Sequence, residues 1–197
     1  MTRLSQDPKK IREQIKRYER TLAREQKTYG AIHDGAGNRY LLGPLYLLLG
    51  DIEGAVKSFA WFDQSFPDDM GEPVQYLCWT LALYRSGDVA AATSKLRQTM
   101  LMYMYLLPHL LGLPQEPLAI WHGSNWAAIS YAQGAPPEFF ALWDEVALRW
   151  VRECYDSPAF TQVRNRYIAI YQQLKTEQPG PVRQHLVREA GALRDMT

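Results

Sequence analysis

The sequence predicts an all-α fold of α-α hairpin repeats with an N-terminal helix and a C-terminal helical extension. Three observations lead there. Apolar residues recur at spacings of three and four along most of the chain, and no segment alternates apolar with polar residues over a useful length. Two amphipathic stretches, LLLGDIEGAVKSF and LALYRSGDVAAATSKL, halt at a Gly-Asp pair and restart at once as helix. The pairs Gly50-Asp51 and Gly87-Asp88 stand 37 residues apart, with Ala55/Ala92 and Phe59/Leu96 in register, a period typical of stacked helix pairs.

The first element starts at Asp7-Pro8, where Asp is the cap and Pro sits in a turn that needs no N–H from it. Ile11, Ile15, Tyr18, Leu22 and Tyr29 then form one narrow stripe among charges, a seam that needs a groove or a second helix to cover it. GAIHDGAGNRY ends this helix. Its glycines lack the Lys-Ser/Thr and the preceding strand of a phosphate loop, so it reads as a capped connection. Residues 1–35 are thus an amphipathic helix and its loop.

Residues 36–107 read as two hairpins. Tyr40 to Leu49 pairs with Ile52 to Phe66, which buries Ile52, Ala55, Val56, Phe59, Phe62 and Phe66 before Pro67 stops it. Pro73 to Ser86 pairs with Val89 to about Leu107. Residues 108–178 form a helical extension. It begins with a Pro-rich run, PHLLGLPQEPLAIWHG, and a short helix from Ser124 to Gln133. A helix opened by Pro136-Pro137 follows, with Phe139, Trp143, Val146, Trp150 and Cys154 on one stripe. Another is opened by Ser157-Pro158, with Phe160, Val163, Tyr167, Ile170, Tyr171 and Leu174 inward. Pro179-Gly180-Pro181 breaks the chain before residues 182–193, a weak last helix, so 179–197 reads as a weakly ordered tail.

At 197 residues, 47% hydrophobic and 22% charged, the chain is long enough to bury a core as a single helical domain. No apolar run approaches the ~20 residues of a membrane span, and MTRLSQDPKKIREQ has no apolar core of a secretory signal. Cys78 and Cys154 lie in apolar helical patterns without CxxC spacing, so they read as buried thiols of a reduced, cytoplasmic protein. Charge is uneven. Residues 1–30 carry nine Lys/Arg against four acids, and residues 50–88 carry seven acids against Lys57 and Arg85. That asymmetry either steers the first helix onto the hairpins or marks a surface for an outside partner.

Residues 36–69 carry Leu42, Gly43, Tyr46, Gly50, Ala55, Phe59 and Pro67 at the spacings of a tetratricopeptide repeat, and the segment resembles that family. Residues 73–106 keep Gly87 and Ala92, with Leu96 for the aromatic, and Thr80 and Met104 in place of the small residue and the closing proline. MYLLPHLLG, GSNWAAISYA and LWDEVALRWV are similar to the segment after the repeats in bacterial tetratricopeptide proteins with a SEC-C tail, but that tail's Cys/His zinc ligands are missing. The resemblance implies a right-handed superhelix that binds a helix or extended peptide. Its groove positions would be Tyr40, Pro44, Leu47, Leu48, Val74, Leu77, Leu81, Tyr84 and Arg85. It does not imply a carboxylate clamp, since Leu41 and Cys78 stand where that clamp has Asn. An apolar groove takes an apolar guest: the chain's own first helix, or a partner's.

Chemistry is sparsely signalled. His33, His109, His122 and His185 are scattered, with no HExxH and no metal-ligand spacing. His122, beside Ser124, Asn125 and Trp126, is the one histidine among possible site residues, and it lacks an evident acid partner. Asp68-Asp69 reads as a solvated helix end, and Asp144-Glu145 as a polar helix face. No catalytic residue, cofactor or metal is therefore assigned. The expected function is non-catalytic protein–protein interaction, as a scaffold or adaptor for a protein or peptide, with homo-oligomerisation left open. The acidic hairpins would favour basic partners. Two rivals remain: nucleic-acid or anionic-surface binding through the basic first helix, which the interleaved Glu13, Glu19 and Glu25 argue against, and an enzyme built around His122.

Overall fold

The computed structural model describes residues 4–121 and 128–195. Eleven helices occur among them: α1 (Pro8–Tyr29), α2 (Asn38–Leu48), α3 (Ile52–Ser65), α4 (Pro73–Arg85), α5 (Val89–Met102), α6 (Leu106–Leu110), α7 (Ser130–Gly134), α8 (Pro137–Phe140), α9 (Glu145–Asp156), α10 (Pro158–Leu174) and α11 (Pro181–Asp195). The described residues contain no strand, and the fold is all-α.

The two Gly-Asp hinges are copies in detail. Gly50 takes φ 72°, a left-handed conformation that a side chain would strain. The Asp51 N–H then donates to the Tyr46 carbonyl at 3.0 Å, its carboxylate accepts the Gly54 N–H at 2.8 Å, and the Ala55 N–H returns to the Asp51 carbonyl at 3.0 Å. At the second hinge Gly87 takes φ 89°. Asp88 N–H donates to Leu83 at 3.1 Å, the Asp88 carboxylate accepts from Ala91 at 3.0 Å, and Ala92 returns to Asp88 at 2.9 Å. Every bond recurs 37 residues on. One aspartate at each hinge thus ends a turn and caps the next helix.

The chain divides into two compact units: as far as Ala92 together with Pro136–Trp143, and Thr93–Ala135 together with the chain from Asp144. In the first unit, Ile11, Ile15 and Leu22 of α1 share a buried cluster with Leu42 and Leu45 of α2. The predicted seam is therefore covered by the Leu42/Leu45 side of α2 as far as Leu22, with Tyr18 partly buried, while Tyr29 at the end of α1 is exposed. The α2–α3 hairpin closes where Gly43 admits the ring of Phe59, and Phe59 stacks on Trp79 of α4 with centroids 5.3 Å apart and planes at 5°. That chain of contacts binds three helices by aromatic area rather than by polar bonds. The short helix α8 rests on α2 in the same unit, with Phe139 buried, and the Arg85 guanidinium donates to the Leu142 carbonyl at 2.5 Å.

In the second unit the irregular run after α6 is organised by two tyrosines. The Tyr103 hydroxyl donates to the Ala128 carbonyl at 2.8 Å and accepts from the Ala132 N–H at 3.1 Å, while the Tyr105 hydroxyl accepts from the Leu118 N–H at 2.7 Å. The stripe from Phe139 to Cys154, predicted as one helix, is broken: α8 ends at Phe140, and Asp144 caps α9 by accepting the Ala147 N–H at 2.9 Å. The expected helix at Ser124–Gln133 is described only from Ala128 on, where α7 covers Ser130–Gly134; residues 124–127 lie outside the described residues. The tail read as weakly ordered forms α11. Leu186 and Ala190 are buried, and Arg166 of α10 grips Glu189 through two bonds of 2.6 and 2.5 Å.

Candidate functional site

Two polar assemblies shape the first unit. One sits at the start of α2. The Asp34 carboxylate accepts the N–H groups of Asn38 at 2.9 Å and Arg39 at 2.8 Å, and so caps α2 from outside the usual position. Arg39 bonds Asp69 at 2.8 Å, the Tyr40 hydroxyl donates to Asp69 at 2.9 Å, and the Gly71 N–H adds a third bond at 2.8 Å. Burial alone would raise the Asp69 pKa, but Gly71, Tyr40 and Arg39 together hold it below the usual carboxylate value. Burial, and then the bond to Asp69, push Tyr40 up to about 12. Asp69, read from sequence as solvated, instead ties the α3–α4 turn to α2. The cluster is a clamp, with its carboxylates already taken up by partners.

The second assembly is a cleft of about 440 Å³ between α1 and α3, floored by α2. Leu22, Ile32, Leu42 and Trp61 make its apolar walls, and Glu19, Gln26, Lys57 and Ser58 its polar rim. The Tyr46 hydroxyl, rising from α2, donates to Glu19 at 2.6 Å and fixes that rim to the floor. Burial first, then this bond, raise its pKa to about 12, so it stays a neutral donor. Gly54 keeps the cleft in shape, because a Cβ there would stand 2.7 Å from the Tyr46 ring and 2.6 Å from the Asp51 carboxylate. Trp61 is braced edge-on by Phe66, with centroids 5.5 Å apart and planes at 85°. Tyr46 thus carries a second duty here that repeat spacing alone does not reveal, and Gly54 a duty outside the repeat pattern.

The groove expected from the resemblance lies elsewhere on α2. At 100° per residue, Tyr40, Pro44 and Leu47 fall about half a turn from Leu42 and Tyr46. Leu47, Leu77 and Leu81 are 1% exposed or less, Pro44 and Val74 are also buried, and Tyr40, Leu48 and Tyr84 are half-buried. Arg85 is exposed and engaged with Leu142. These positions are mostly interior rather than an open trough, and within the first unit α2 also packs against α3, α4 and α8. The stripe of the first helix lies on Leu42 and Leu45 instead, and Leu48 is the groove position that packs against that cluster. The acidic hairpins also offer less free charge than their count suggests, because Asp51 and Asp88 are helix caps and Asp69 belongs to the clamp.

His122, Ser124, Asn125 and Trp126 lie outside the described residues. The neighbouring Trp121 is 39% exposed, with the Arg183 guanidinium 5.3 Å from its ring centroid. Among the described residues no three His, Cys, Asp or Glu side chains gather to hold a metal, and no helix is long and apolar enough to cross a membrane. No family model matches the chain, and no curated protein or solved structure matches it significantly.

Proposed function

We propose that this chain is a non-catalytic protein-interaction module of tetratricopeptide type, a scaffold or adaptor that receives an apolar side chain of a partner helix or extended peptide in the cleft between α1 and α3. The observation that carries the reading is the cleft itself: an apolar recess within a stack of helical hairpins, with a polar rim already pinned by the Tyr46–Glu19 bond. A recess of this kind pre-pays the ordering cost of binding, because its walls need not move to accept a guest. Support for the family reading comes from the roles of the matching residues. Gly43 admits Phe59, Gly50 turns the hairpin, and Ala55 is fully buried. The free thiols Cys78 and Cys154 support a reducing, cytoplasmic setting; burial pushes both thiol pKa values up, which makes them poor nucleophiles.

The test is a displayed library of random peptides long enough for three or four helical turns, selected on the full chain. Binders are expected to alter Trp61 fluorescence, read against Trp61→Phe, and to lose affinity for Ala23→Trp, which fills the cleft mouth. Binders that hold Ala23→Trp as tightly as the parent would place the site elsewhere.

A further inference from the structure

We infer that the partner segment is acidic: it inserts one bulky apolar side chain into the cleft and lays carboxylates along the outer edge of α1. This rests on the cleft being the partner site. Glu19, Leu22, Ala23 and Gln26 of α1 line the recess. At 100° per residue, the stripe immediately outward from them carries Arg12, Lys16, Arg20 and Lys27, and all four are exposed. No carboxylate of the described residues forms an ion pair with any of them. Arg20 is turned along its own helix, donating to the Lys16 carbonyl at 3.1 Å.

Two of the three interleaved glutamates are bonded to the rest of the fold rather than paired with this edge. Glu19 accepts from Tyr46, and Glu25 accepts the N–H groups of His33 at 3.0 Å and Asp34 at 2.8 Å. In all, α1 carries three glutamates against eight Lys and Arg. The facing wall on α3 adds no free positive charge, since Lys57 there pairs with Glu53 at 2.6 Å and the Asp51 carboxylate lies beside Gly54. One side of the cleft is therefore a basic rail and the other offers no free positive charge.

A guest with carboxylates on the α1 side gains long-range steering and a fixed direction of entry, and a basic guest is repelled there. Nucleic acid also answers positive charge, but the two rings that line the recess are engaged, Trp61 edge-on with Phe66 and Tyr46 through its hydroxyl with Glu19, rather than set out as open platforms for stacked bases. The apolar recess with a basic rail fits an acidic amphipathic peptide better.

The same peptide selection decides the matter, with composition and charge as readouts. Selected binders are expected to carry more Asp and Glu than Lys and Arg around one Leu, Phe or Trp. Their affinity should fall about tenfold in the Lys16→Glu/Arg20→Glu double variant and weaken as salt is raised. Helicity and melting temperature of each variant confirm that it is folded. Neutral or basic binders that are lost only in Ala23→Trp would overturn the acidic partner while leaving the cleft in place. Binders indifferent to Ala23→Trp, or a selection that yields none, would overturn both. A single-stranded RNA oligonucleotide that binds more tightly than any selected peptide, and is lost on charge reversal, would assign the basic rail to nucleic acid and overturn the proposal.

Discussion

Gly43 of α2 faces the ring of Phe59 on α3 so closely that a Cβ at position 43 would stand 2.3 Å from the ring's Cε1 atom. The Trp79 ring stacked on Phe59 limits how far that ring can retreat. Gly43→Ala is therefore expected to destabilise the chain. Overpacking costs about 1–3 kcal/mol, offset by up to ~1 kcal/mol from the better helix propensity of Ala. For a chain of this size each kcal/mol lowers Tm by ~2–4 °C. Phe59→Leu in the Gly43→Ala background should restore part of the loss, a coupling that a thermal-melt double-mutant cycle measures.

The duplicated hinge makes a second expectation. Asp51→Ala and Asp88→Ala each remove a carboxylate that accepts a backbone N–H at 2.8 and 3.0 Å, respectively. Each should cost about 1 kcal/mol, and the two losses should add to within ~0.5 kcal/mol. Circular dichroism melts of both singles and the double check this. A hinge whose loss is silent would break the equivalence of the two copies.

The clamp at the start of α2 makes stability depend on pH at both extremes. The folded-state pKa of Asp69 is depressed, so its contribution is present above the ordinary value of 3.8 and is lost as pH falls through the lower folded value. Tyr40 is raised, so its contribution is full below about 10 and is lost as pH rises through about 12. Urea midpoints against pH should show Asp69→Asn less stable at neutrality and flatter in acid than the parent. Tyr40→Phe should be flatter in alkali.

The segment that returns to the first unit is expected to be part of its core rather than a displaceable plug. Phe139 is 1% exposed, so Phe139→Ala should cost about 3–5 kcal/mol, seen as a large drop in urea midpoint. A near-neutral effect would mean that the segment is loosely held and that the face beneath it is available to other guests.

Much of the fold was legible in local signals: Asp7-Pro8, Gly50-Asp51, Gly87-Asp88 and Ser157-Pro158 each mark a helix boundary that the structure keeps. Where reading failed, the deciding contacts were distant in sequence. A stripe of spacing three and four runs unbroken from Phe139 to Cys154, yet Asp144 caps a new helix and the two halves belong to different units. The local sign of that break, Asp144 followed by Glu145, is masked by the unbroken apolar stripe. Asp69 looked solvated because its partners, Arg39 and Tyr40, come from thirty residues earlier. The cleft was hidden for the same reason. Glu19, Tyr46 and Trp61 meet only once α1 has docked, and repeat spacing directed attention to the opposite face of α2.

Photo-crosslinking tests the central claim, the partner site between α1 and α3, most directly. Benzoylphenylalanine is placed singly at Gln26, Lys57, Tyr84 and Arg85, and each chain is irradiated with a selected peptide. Crosslinks are expected from positions 26 and 57, long side chains that border the cleft, and not from 84 and 85. Crosslinks from 84 and 85 alone would contradict the account and return the site to the face of α2 and α4 that the repeat pattern first suggested.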